Sequence, residues 1–94
     1  MTTIATYKAN GPYFPPTIMR YQAASLRDVL WHVRTAMDDG EDVIAVFDAA
    51  GACRGLWEND AEPEPDGEGG WGWPAPAYRL LREGKVFDRL VQLF

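Results

Sequence analysis

The stretch Ser25–Asp48, SLRDVLWHVRTAMDDGEDVIAVFD, holds a helix and a strand side by side, and its reading decides the fold class. Ser25 is a good N-cap, and Asp28 stands three residues later, where a carboxylate complements the positive end of the helix dipole. Leu26, Val29, Leu30, Val33 and Met37 fall on one stripe at helical spacing, so this stripe is expected to face a core. Gly40 follows as a left-handed stop, which gives a helix over Ser25–Asp39. Trp31 lies off the stripe, about 140° round from Leu26 on ideal geometry. It has Arg27, Arg34, Thr35 and Asp38 for company and reads as an interaction anchor unless the Trp71–Pro76 loop or the C-terminal helix covers it. Asp42–Asp48 (DVIAVFD) is then a β-branched apolar run of strand length.

Working outward, Thr2–Lys8 and Thr17–Ala23 read as two short strands, antiparallel across the Pro/Gly loop Asn10–Pro16 (NGPYFPP). After the central run, Ala49–Gly51 turns the chain and Ala52–Trp57 returns as a partner strand. Residues 58–76 have neither period and form a long loop. Pro76 can open a helix to Glu83 that Gly84 closes. Lys85–Phe94 carries a helical stripe of Val86, Phe87, Leu90, Val91 and Phe94; a hairpin turning at Glu83–Gly84 is the alternative for this end. The expected order is β-β-α-β-β-loop-α. This is an α+β fold in a single domain over 1–94, with a small antiparallel sheet and one main helix packed on one face.

The chain has 94 residues, enough for one core, with 47% hydrophobic and 24% charged residues. Fourteen acids against nine Lys and Arg give a net charge of −5, which argues against direct nucleic-acid binding and against an anionic membrane surface. Cys53 and His32 stand alone, so there is neither a disulfide nor a metal cluster to build, and no cofactor is expected. Met1–Asn10 does not read as a secretory signal, and the longest apolar run is Val43–Phe47, so the expected compartment is the cytoplasm.

The acidity is concentrated. Segment 58–68 (ENDAEPEPDGE) carries six acids and no base, while 1–57 has a net charge of −1 and 69–94 of +2. Glu58, Asp60, Glu62, Glu64, Asp66 and Glu68 recur every second residue, which on an extended chain sets a carboxylate every ~6.6 Å. Such a string can present negative charge to a site that normally receives phosphates, or it can be a solvated spacer. Trp71 and Trp73, separated by one glycine, can form a partner-binding platform or fold back onto the sheet. An EF-hand reading starting at Glu62 fails, because the bidentate Glu it requires at its twelfth position is replaced by Trp73. Gly67, Gly69, Gly70 and Gly72 lack the Lys-Ser/Thr of a phosphate loop and follow six acids.

Nothing in the spacing brings His32 and Cys53 together as a base and nucleophile, so the chain reads as non-catalytic. In size, acidity and layout the whole chain resembles the small inhibitors encoded by phages and other mobile elements, the anti-CRISPR and anti-restriction class. The resemblance carries no residue-level motif. It implies a protein-binding inhibitor of a host protein or nucleoprotein complex; under that hypothesis the acids from Glu58 to Glu68 meet partner Lys and Arg, and Trp31 or the Trp71/Trp73 pair supplies the anchor. The second reading is a structural or adaptor module that homodimerises, with the acidic tract as spacer. A small-ligand binder or enzyme built on His32 and Cys53 is the third.

Overall fold

A computed structural model describes residues 1–60, 64–65, 71–72 and 77–94, with backbone alone at 64–65 and 71–72. The elements in chain order are β1 (Thr2–Lys8), β2 (Thr17–Ala23), α1 (Leu26–Asp38), β3 (Val43–Phe47), β4 (Cys53–Asn59), β5 (Glu64–Pro65), β6 (Trp71–Gly72), β7 (Tyr78–Leu81) and α2 (Lys85–Val91). β1, β2, β3, β4 and β7 make one antiparallel sheet in the order β2-β1-β3-β4-β7, and β5 pairs with β6 in a separate two-residue ladder.

β3 is the middle strand, and its unbroken apolar run follows from that position. Ile44 points to one face and Val43 and Ala45 to the other, and all three are buried. On the first face Ile4, Ala23 and Ile44 pack under Val33 and Ala36 of α1, with Trp57 and Tyr78 at the margin. On the opposite face Val43, Ala45 and Leu56 pack under Phe87, Leu90 and Val91 of α2. The sheet is therefore covered on both faces, not by a single main helix on one side as the sequence suggests.

The ends of α1 follow their sequence signals. Ser25 Oγ accepts a hydrogen bond from the Asp28 amide at 3.2 Å. At the other end the Gly40 amide donates to Met37 (3.1 Å) and the Glu41 amide to Ala36 (3.2 Å), with Gly40 at φ +70°. These two bonds are the Schellman pattern, which needs a left-handed residue at that place. The stripe is another matter: Leu26 and Leu30 are 74% and 59% exposed. Of the stripe, Val29, Val33 and Met37 reach the core, joined by Ala36, because a helix lying on a sheet touches it along a strip narrower than its full apolar face.

Two further expectations are corrected. Tyr78–Leu81 is a strand along β4, not part of a helix starting at Pro76. The strand places Leu80 beside Trp57 on the α1 face and Leu81 beside Leu56 on the α2 face, serving both layers at once. Gly84, at φ +106°, is the N-cap of α2 and does not close a preceding helix. The hairpin alternative at Glu83–Gly84 gives way to α2, which stops at Val91. Leu93 and Phe94 follow in tight turns, with Phe94 edge-on to Phe47 at 6.0 Å. Arg20 crosses from β2 to donate to the Phe94 carbonyl at 2.8 Å. No helix among the described residues is long and apolar enough to cross a membrane.

Urea unfolding tests this division of the helix stripe. Ile44→Ala should cost about 2–5 kcal/mol, as for other buried Ile truncations. Leu30→Ala should stay within about 0.5 kcal/mol of wild type, as an exposed helical site.

Candidate functional site

The charge on this chain is placed by topology. β1 and β4 end, and β2, β3 and β7 begin, at one end of the sheet, where α1 also ends. Asp38 and Asp39 close α1, Gly40 reverses the chain, and Glu41 and Asp42 lead into β3. There is no basic residue in the last turn of α1, so these carboxylates sit on the negative end of the helix dipole. That arrangement costs stability, roughly 0.3–1 kcal/mol per charge at the surface.

The segment is anchored to its neighbours. The Asp42 amide donates to the Tyr7 carbonyl at 2.9 Å, and Asp42 Oδ2 accepts from the Ala9 amide at 2.7 Å. The Tyr78 hydroxyl donates to the Glu41 carbonyl at 2.7 Å, pinning the turn to β7. Burial, then the neighbouring Glu41, Asp42 and Asp39 charges, push the Tyr78 phenol up to about 12. Burial, opposed by Lys8 and reinforced by Asp39 and Asp42, holds the Glu41 carboxyl above the usual carboxylate range.

The acidic tract meets this same end. Asp60 is exposed, and its amide donates to the Ala77 carbonyl at 2.7 Å, so the connection between β4 and β7 leaves and returns here. Glu58 does not belong to the loop. It lies in β4 opposite Arg79 with an ion pair at 3.5 Å, and its Oε2 is buried without a partner. One of its carboxylate oxygens is thus held by Arg79 within the sheet. Glu64 and Trp71 lie in the β5–β6 ladder, where only the backbone is described. Glu62, Asp66, Glu68 and Trp73 lie outside the described residues.

Trp31 is 63% exposed on the flank of α1 that leans over β2. Beside it His32 stacks on Tyr21 at 4.9 Å, and the Trp31 ring stands edge-on to His32 at 5.0 Å. These rings wall a cleft of about 140 Å³ between helix and strand, with Thr6 and Ala36 at its buried side and Asp39 and Glu41 also lining it. Aromatic surface and carboxylates thus share one concavity. The sequence pattern points to Trp31 but not to Tyr21, whose partner across the cleft lies on a different element.

Tyr13 and Phe14, 91% and 70% exposed, rise from the β1–β2 loop at the acidic end. Their signal was available in Asn10–Pro16: two adjacent aromatics in a loop whose prolines and glycine provide no strand to bury them. His32 and Cys53 lie on opposite faces of the sheet, His32 against Tyr21 and Cys53 within the α2 layer. Burial pushes the Cys53 thiol up, partly offset by backbone hydrogen bonds at Gly55 and Val46, which disfavours a reactive thiolate. Comparison with protein-family models, characterised proteins and solved structures finds no match in any of the three.

Tyr78→Phe removes one hydrogen bond and should cost about 0.5–1.5 kcal/mol at neutral pH. The wild-type phenol titrates higher when folded than when unfolded. Its contribution is therefore present below the unfolded value and falls away as pH rises towards about 12. Chemical denaturation of both proteins across alkaline pH should show the gap between them narrowing.

Proposed function

We propose that this chain is a non-catalytic protein-binding inhibitor. It acts in the cytoplasm on a host nucleic-acid-handling complex, as anti-CRISPR and anti-restriction proteins do. The observation carrying this reading is that two acidic segments far apart in sequence, Asp38–Asp42 and the tract continuing from Asp60, are rooted at one end of the sheet. Exposed Tyr13, Phe14 and Trp31 stand beside them or open onto the adjoining cleft. A protein surface that grips phosphates is rich in Lys and Arg, so a dense field of carboxylates can occupy it in place of nucleic acid. The aromatics then supply the apolar anchor that raw charge lacks. Acids kept against the α1 dipole, with their stability cost, are better explained by such a partner than by a spacer role.

A second reading has its own support. β2 is a seven-residue outer strand that pairs on one side alone among the described residues, and its one charged residue, Arg20, turns to Phe94. Edge-to-edge pairing of β2 between two copies would give a homodimer.

The test is a tagged pull-down from host lysate with mass spectrometry. Wild type is run beside a variant carrying Asp60→Asn, Glu62→Gln, Glu64→Gln, Asp66→Asn and Glu68→Gln, with Glu58 retained for its bond to Arg79. Wild type should capture a nucleic-acid-handling complex that duplex DNA displaces. The complex should elute as salt rises from about 0.1 to about 1 M, where the screening length falls from roughly 10 to roughly 3 Å. The amide variant should capture little. Equal capture by both would remove the tract from the interface. A dimer by light scattering, with no partner in either lane, would put the β2 reading in its place.

A further inference from the structure

We propose that the cleft between α1 and β2 receives a single arginine side chain of the partner. This deepens, and rests on, the reading of the chain as a binder of basic protein surfaces. The space is about 140 Å³, roughly ten times what one water needs. It has flat aromatic surface from Tyr21, His32 and Trp31 and two carboxylates, Asp39 and Glu41, on the same lining.

Among the described residues neither carboxylate forms an ion pair. Lys8 donates to the Asp39 backbone carbonyl at 3.4 Å and offsets part of the negative charge at Glu41 without forming an ion pair with it. The C-terminal dipole of α1 adds further negative potential. An anionic guest is therefore repelled, and an apolar guest would bury unpaired carboxylates. A metal ion finds too few donors, since no group of three His, Cys, Asp or Glu gathers among the described residues.

What remains is a cation with an apolar face. Arginine fits better than lysine, because a planar guanidinium stacks on aromatic rings while its fork of N–H donors reaches carboxylates. The raised Glu41 carboxyl agrees with this, since desolvation beside Asp39 and Asp42 is the condition a bound guanidinium would relieve. Trp31, at 63% exposure against 37% for Tyr21, is the most exposed ring of the wall and can close over the side chain without unpacking the core.

The test uses the whole chain, isotopically labelled, with two probes: acetyl-Gly-Arg-Gly-amide and the same peptide with uncharged citrulline in place of arginine. Two-dimensional NMR at low salt should show saturable shifts at the Trp31 indole N–H and the Glu41 amide with the arginine peptide. Citrulline should bind about tenfold more weakly, the loss of charge-assisted and cation–π contacts. Trp31→Ala and Glu41→Gln should each weaken the arginine shifts while leaving the remaining spectrum folded. Equal shifts from both peptides, or arginine shifts elsewhere with Trp31 unmoved, would overturn the cleft. If Trp31→Ala and Glu41→Gln still capture the host complex in full, the cleft is wrong and the inhibitor reading stands. Arginine binding at Trp31 with no host complex captured by wild type upholds the cleft and removes the inhibitor reading.

Discussion

Burial of β3 on both sides is the constraint from which the other parts take their places. Five residues, Val43–Phe47, must satisfy a helix above and a helix below, and they do so by sending Ile44 one way and Val43 and Ala45 the other. Small Ala45 and its neighbour Ala5 leave room on the α2 side for bulky Phe47 and Phe94. The larger Ile44 fills the α1 side, with Ile4 in the adjoining strand. Both helices depend on this strand, and neither could bury its apolar surface without it.

The sequence was legible where the determinants are local. Ser25 and Gly40 bracket α1 because a cap hydroxyl and a left-handed glycine act within a few residues. Thr2–Lys8 and Thr17–Ala23 match β1 and β2 for the same reason, through alternation and a Pro/Gly connection. What was not legible depended on distant partners. Tyr78–Leu81 has no period that separates strand from helix, and becomes a strand because β4 offers an open edge, a charge for Arg79 and apolar places for Leu80 and Leu81. Leu26 and Leu30 look like core by spacing, and only the line along which α1 crosses the sheet leaves them outside.

The candidate site divides in the same way. Trp31 could be singled out because its position off the stripe is a property of the helix alone. Its cleft could not, because Tyr21 comes from an edge strand and Asp39 and Glu41 from a turn. Glu58 shows the converse error. Alternation with the acids that follow groups it with the tract, yet β4 runs two residues further than the turn chemistry suggests and takes Glu58 into the sheet. A charge pattern continuous in sequence is cut in two by a strand boundary.

The acids at the end of α1 bear on why the fold has this shape. A helix of this length would be more stable with Lys or Arg in its last turn, yet α1 ends in Asp38 and Asp39 and the chain continues through Glu41 and Asp42. The fold does compensate for part of this. The Ala9 amide takes up the Asp42 carboxylate, and the Tyr78 hydroxyl takes up the Glu41 carbonyl. These are anchors on the backbone and on one carboxylate, and they leave Asp39 and Glu41 facing the cleft without an ion pair among the described residues. A single Lys or Arg in the last turn of α1 would reduce that repulsion. Like charges retained on a dipole of the same sign, next to an exposed indole, are what the proposed binding of a basic partner would offset.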